Sequence, residues 1–339
     1  MTKSIRIIGV LLLTLLSMFF AFRGIDFSEM LTGIQNANLW YFGVVCLGYL
    51  CTHAIRTLRL WLLIGHRGTY GSIFSINTIG FLAINVVPLR MGELVRPYLL
   101  VEKENIPFGE AMVAIVLERW LDMIMLLIML FGLSWFIDLP NGVVVEGIDI
   151  LAAGQRILGT MVMIGFIGLL GLIAFGESLL HPLKDHNSPV IAKGTSFILS
   201  LREGAHRLFV NPLLALQAFV ISCAVWGSTM IAIWFGLLGF PDFPNSIGVV
   251  WSVWTITLTG MVVAPTPGFI GVYELFCSTA LWLWGVDKVA GTAFALTLHA
   301  SQLLFTITIG SIFVLKEGVN LRSLVSDSRT EMDVQEELE

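Results

Sequence analysis

Apolar runs of about twenty residues recur along the whole chain, the length a helix rising 1.5 Å per residue needs to cross a hydrocarbon layer. They predict spanning helices at roughly 4–22, 39–64, 110–137, 156–175, 211–237 and 290–315. Two further apolar stretches, about 72–101 and 247–286, are broken in the middle by proline and glycine. The first break reads Asn85-Val-Val-Pro88-Leu-Arg90-Met-Gly92-Glu93, and the second Pro265-Thr-Pro267-Gly268-Phe-Ile-Gly271-Val-Tyr-Glu274. Proline removes an amide donor and clashes with the preceding turn. The backbone groups it frees persist at membrane depth only where protein or water satisfies them. Both stretches are therefore expected to be re-entrant helical hairpins. The predicted fold is an all-α polytopic membrane protein, with about six transmembrane helices and two re-entrant hairpins in an inverted repeat.

Charge placement supports that topology. With the N-terminus inside, Lys3, Arg6, Arg67, Lys103, Lys184, Lys193, Arg202, Arg207, Lys316, Arg322 and Arg329 fall on the cytoplasmic side, and only Arg23, Arg156 and Lys288 outside. This is the bias that orients multi-pass proteins, and it puts both termini in the cytoplasm. An offset of 179 residues lays Pro88 on Pro267 and Gly92 on Gly271. That suggests two halves, 1–155 and 156–315, of one transmembrane domain, of the kind whose binding sites lie at broken helices near the midplane. The basic stretch 176–209 reads either as an amphipathic segment on the inner leaflet or as an ordinary solvated loop. Residues 316–339 read as a disordered acidic cytoplasmic tail.

Composition adds little beyond class. At 13% charged residues and a mean hydropathy of +0.87, no stretch is polar enough for a soluble catalytic domain. Cys46, Cys51, Cys223 and Cys277 fall inside apolar segments, without disulfide or zinc spacing, and are expected to pack. No cofactor or nucleic-acid partner is implied.

The candidate chemistry is the charge held inside these segments, where each ion costs roughly 2.5–3.5 kcal/mol by insertion scales. Glu118, Arg119 and Asp122 share one side of a helix, about 12–18 Å from its cytoplasmic end. They read as a salt bridge locking helices together or as the wall of a polar cavity. Arg90, Glu93 and Arg96 follow the first break at a spacing of three. A helix starting there would aim free amides at an anion, with the Arg90 fork beside them, while Arg96 could instead snorkel to the interface. Arg56 and Arg59 lie one turn apart, either snorkelling or guiding a phosphate. Glu274, beyond Pro267, Gly268 and Gly271, suits a proton, a cation or an arginine partner, or is simply an interfacial glutamate. His299 and Gln302, mid-way along the last apolar run, suit interhelical hydrogen bonding or a proton relay. Arginines outnumber acids by about one among these embedded groups, which favours an anionic ligand. No metal, nucleophile-elbow, nucleotide-loop or other catalytic signature is present. The expectation is a protein that is not an enzyme, although Asp26 and Glu29 could in principle supply a lone carboxylate base.

The block Asn85…Pro88-Leu-Arg90-Met-Gly92-Glu93…Arg96, followed by Glu118-Arg119…Asp122, resembles the flippase-like family of the lysylphosphatidylglycerol synthase transmembrane region. The Arg56…Arg59 pair and the Pro265-x-Pro267-Gly268-x-x-Gly271-x-x-Glu274 block match it in order, over about residues 5–315. Phe269 departs from the family's more usual second glycine. Larger members carry a soluble aminoacyl-transferase domain for which this chain is expected to be too short. The resemblance implies a stand-alone transporter of a prokaryotic cell (inner or plasma) membrane. It would move a phosphate-bearing lipid, phospholipid or polyprenyl-phosphate-linked, between leaflets. The alternatives are a membrane glycosyltransferase or other lipid-modifying enzyme, and a non-catalytic scaffold. Expected partners are an anionic or phosphate-containing lipid, the bilayer, and a homo-oligomer or lipid-synthesis enzymes.

Overall fold

In the computed structural model, which describes residues 2–86, 92–138, 144–145, 148–180, 188–264 and 266–319, the chain is almost entirely helical. The helices are α1 (Thr2–Phe22), α2 (Phe27–Asn36), α3 (Trp40–Leu63), α4 (Tyr70–Val86), α5 (Val95–Glu104), α6 (Phe108–Phe136), α7 (Ile150–Leu180), α8 (Pro189–Val210), α9 (Pro212–Leu238), α10 (Ile247–Val263), α11 (Val272–Trp282) and α12 (Lys288–Glu317). A two-residue antiparallel pairing of Val144–Val145 with Ile148–Asp149 precedes α7.

Every apolar run predicted as a span is occupied by a helix. Three helices, Ala152–Ser178, Pro212–Leu238 and Lys288–Glu317, are long and apolar enough to cross a membrane by length and composition. A fourth follows if α2 and α3, bent by 80°, count as one span. The two broken stretches become the helix pairs α4/α5 and α10/α11, each pair packed together. Pro88 and Arg90 of the first break and Pro265 of the second lie outside the described residues, as do Lys184 and the tail from 320 onward.

Two sequence expectations are corrected. The stretch 27–36, taken as a small loop with two free acids, is a helix that the Asp26 side chain caps by accepting from the Ser28 and Glu29 amides at 2.8 and 3.2 Å. A carboxylate committed to an N-cap is not placed as a base. The basic stretch 176–209 is largely the helix α8 rather than a loop. Its Arg202 is tied to α7 by Nε donating to the Ile173 carbonyl at 3.2 Å and by an ion pair with Glu177. Of the cysteines, Cys277 is buried, but Cys51 and Cys223 are exposed on the outside of the bundle and do not contribute to its interior.

Burial falls into a large apolar cluster spread over α3, α6 and α9–α12, and a second between the C-terminal part of α3, α4, α5 and the start of α6. Along α6 the second cluster ends at Ile115 and the first begins at Met125, so Glu118 to Asp122 fall at the junction between them. Glu317, ending α12, accepts from the Ser75 hydroxyl of α4 at 2.9 Å and pairs with Lys103 of α5, tying three helices together. The helices α3 and α9 approach closely because Gly48 faces Ala232, the small-residue contact that packs helices where apolar solvent offers no driving force. A methyl group on Gly48 would lie 2.8 Å from the Ala232 Cβ. Gly48→Ala is accordingly expected to cost about 1–3 kcal/mol, read as a lowered thermal midpoint in detergent.

Candidate functional site

The embedded charges form one network, but they do not all face the same way. Arg59 is fully buried on α3. Its Nη1 donates to Asp122 Oδ1 at 2.8 Å and to the Ser222 hydroxyl of α9 at 3.0 Å, and its Nε faces Glu118 Oε1 at 3.4 Å. Arg96, 1% exposed, crosses from α5 and donates to the other Glu118 oxygen at 2.5 Å. It passes over Gly80 of α4, where an added Cβ would lie 2.0 Å from the Arg96 Cγ. Neither arginine snorkels. Glu118 is the buried hinge between α3, α5 and α6, which is the locking role.

In front of this layer lies a cavity of about 180 Å³. Arg56, Asn85, Glu93, Arg119, Asp122 and Gln302 supply its polar wall, and Met123, Leu126, Leu258, Met261 and Val262 much of its apolar wall. Asp122 belongs to both layers, holding Arg59 on one oxygen and Arg119 on the other at 3.4 Å. Arg56 is the exception in the network. Among the described residues its guanidinium has no ion pair and no hydrogen bond, and its Nε is buried without a partner. It sits 5.0 Å from the centre of the Phe81 ring, which Arg96 also faces at 5.2 Å. The aromatic ring supports both cations through its negative faces. Arg56, Arg59, Arg96 and Arg119 meet the three acids Glu93, Glu118 and Asp122, so the described site carries one more positive than negative charge.

The second break closes one side. Gly268 has φ +57° and approaches the carbonyl oxygen of Asn85, so the two breaks meet. Phe269 follows at φ +57°. A non-glycine residue in the left-handed region costs about 1–2 kcal/mol, held here on a residue that lines the cavity. Gly271, at φ +84°, lies so close to α1 that a Cβ would be 2.7 Å from the Met18 nitrogen. Its amide donates to Glu274 Oε2 at 2.7 Å, and Glu274 Oε1 meets His299 Nδ1 at 2.6 Å. Glu274 therefore finds His299 and not an arginine. Pro267, Gly268, Gly271, Glu274 and His299 stand behind the cavity as its frame, while Gln302, one turn along α12 from His299, reaches the lining.

Sequence reasoning missed the aromatic lining. Phe81, Trp226 and Trp254 surround the polar wall. The Trp226 indole donates toward Asp122 at 3.5 Å, and the Trp254 indole nitrogen is buried without a partner. The signal was present, since tryptophan normally gathers at membrane interfaces whereas these two fall well inside apolar runs.

The chain is 24% identical to the protein named Glycosyltransferase AglD of Haloferax volcanii, in an alignment covering 99% of this chain and 58% of that protein. The chain thus spans little more than half the length of that relative. Its name overturns the expectation that this chain is not an enzyme. That expectation rested on missing motifs, and a motif search covers only chemistries with a compact local signature. No solved structure matches. Residues 6–310 match the family described as the lysylphosphatidylglycerol synthase TM region, so this chain belongs to that family of membrane-embedded, lipid-related proteins.

Proposed function

We propose that the cavity binds the phosphate-bearing headgroup of a membrane lipid, phospholipid or polyprenyl-phosphate-linked, and passes it between leaflets while the tail stays in the bilayer. The observation that carries this reading is Arg56, a buried guanidinium with no ion pair or hydrogen bond among the described residues, lining a cavity that is charged on one wall and apolar on the other. Leaving such a cation unpaired in a low-dielectric interior is costly, and an arriving phosphate would relieve that cost through its two-pronged geometry. Arg119 is the second phosphate ligand, and Asn85, Glu93, Gln302 and the tryptophans contact the rest of the headgroup. Arg59, Arg96 and Glu118 hold this wall in place from behind, and Arg90, outside the described residues, is proposed as a further phosphate ligand. In this reading the chain crosses the membrane about six times, α4/α5 and α10/α11 are re-entrant pairs in two inverted halves, and both termini are cytoplasmic.

A second reading, transfer of a glycosyl group to or from such a lipid at the same site, is supported by the name of the Haloferax volcanii relative and by Glu93 and Asp122 beside the cavity. One experiment separates the two. The purified protein is reconstituted with fluorescent phosphatidylglycerol or a polyprenyl-phosphate sugar, and both leaflet position and lipid chemistry are followed. Unchanged lipid that has swapped leaflets supports transport, and a covalently altered lipid supports transfer. In either case Arg56→Ala should weaken headgroup binding roughly ten- to hundredfold, the loss of charge-assisted hydrogen bonds worth about 1.5–3 kcal/mol. Its thermal midpoint should stay close to wild type, because among the described residues Arg56 makes no ion pair or hydrogen bond, and Asp122 keeps its pairs with Arg59 and Arg119. Wild-type binding by Arg56→Ala would remove the basis of the proposal.

A further inference from the structure

The geometry points to Glu274 and His299 as a proton-binding site that loads when an anion enters the cavity, an inference that deepens the transport reading and rests on it. The two side chains are 3% and 2% exposed and share a 2.6 Å hydrogen bond. The other Glu274 oxygen accepts the Gly271 amide, the first link between the second break and α11. The Tyr273 ring stacks on the imidazole at 4.3 Å. His299 Nε2 is buried and has no hydrogen-bond partner among the described residues.

Among the described residues, no other side chain makes an ion pair with either member of the pair. On α11 the titratable neighbours are Tyr273 and Cys277, and on α3 they are Cys46 and Tyr49, with His53 and the cation Arg56 further along that helix. The helix α10 and the described side chains of α1 carry no titratable group. The titratable side chains of α2, α4 and α9 are Glu29, Tyr70 and Cys223, all exposed and so turned away from this buried pair.

The proton balance follows from the atoms. In the unloaded pair, His299 Nδ1–H donates to a carboxylate and the Nε2 lone pair is free, giving a net charge of minus one. A proton from water adds at Nε2, and the Nδ1 proton can then pass to Glu274 Oε1. The pair becomes neutral and no other bond changes. Gln302, one turn from His299, and Phe269, just before Gly271, both line the cavity. A phosphate arriving there would face a like charge close by in a poorly screened interior, so its binding draws the proton in. By linkage, the proton favours the phosphate equally. A neutral carboxylic acid accepts the Gly271 amide less strongly than a carboxylate, so loading also loosens the joint between the second break and α11.

The test reads the joint first, without any ligand. Hydrogen exchange of amides 266–275, corrected for the intrinsic effect of pH, should accelerate at least fivefold in the wild type between pH 8 and pH 5.5. Glu274→Gln keeps an acceptor for the Gly271 amide and His299→Gln keeps a polar side chain of similar reach, so both should fold, and both should lose this step. A flat wild-type profile, or an unchanged step in either variant, overturns the proton site. In proteoliposomes carrying fluorescent phosphatidylglycerol, a two-unit pH gradient should change the wild-type translocation rate several-fold and leave both variants unaffected. Wild-type movement indifferent to the gradient also overturns the inference. If no lipid moves under any condition the transport reading fails, while the exchange profile still upholds or overturns the proton site by itself.

Discussion

Glu118→Gln should lower the stability of the purified protein by about 3–5 kcal/mol, the cost of breaking a buried ion pair and leaving its partners charged. The substitution is nearly isosteric, so the loss reports charge and not shape. Glu118 is the only acid bonded to Arg96 among the described residues, and Arg59 leans on it as well as on Asp122. Without its charge two buried arginines approach one another across α3 and α5 with a single carboxylate between them, half committed to Arg119. The thermal midpoint in detergent is the measurement, with Arg56→Ala as the contrast. A Glu118→Gln protein that melts with the wild type would show that the network is not structural. The double variant Glu118→Gln with Arg96→Met should recover part of the loss, because it removes the stranded charge and keeps the side-chain volume.

Gly92→Ala should be nearly as damaging, through sterics rather than charge. A methyl group there would lie 2.2 Å from the Ala83 carbonyl carbon and 2.3 Å from the Ile84 nitrogen. Those are backbone atoms of α4 and cannot rotate away, so the turn 92–94 must lift off the helix it packs on. Overpacking of this kind costs about 1–3 kcal/mol, and the displaced residues carry function. Glu93 lines the cavity, and Arg96, one turn later, reaches Glu118. The expected result is a lower thermal midpoint together with at least a tenfold loss of phosphatidylglycerol retention, measured by native mass spectrometry. Unaltered retention and stability would mean that the close approach of α5 to α4 is not maintained in the membrane.

Much of this architecture could be read from residue order. Proline and glycine inside apolar runs placed both breaks correctly, because a lost amide donor is a local property of the chain. The helix α2 was missed because its ten residues are too short and too polar to stand out from a loop, and only the Asp26 cap reveals its start. The stretch that forms α8 was left open between an amphipathic segment and a solvated loop because its basic residues resemble a connector, whereas α6 and α7 give it a surface to pack on. For the charged residues, sequence spacing placed Glu118, Arg119 and Asp122 on one side of α6 but could not divide them. Glu118 turns into the protein and Arg119 toward the cavity, a difference set by where α3 and α5 deliver their arginines.

The sequence by itself determined a helical, membrane-embedded chain of this family, with charges set inside apolar segments, two of which are broken. Those traits follow from hydropathy, helix rise and the chemistry of proline, which act over a few neighbouring residues. The tertiary structure decided that, among the described embedded arginines, Arg59, Arg96 and Arg119 are paired with acids and Arg56 is not. It also decided that Glu274 meets His299, and that tryptophans line the space between the helices. Pairing in a poorly screened interior depends on distances of a few ångströms between segments far apart in the chain, 63 residues for the Arg59–Asp122 ion pair and 163 for the Arg59–Ser222 hydrogen bond. Only the packing of the whole bundle sets such distances.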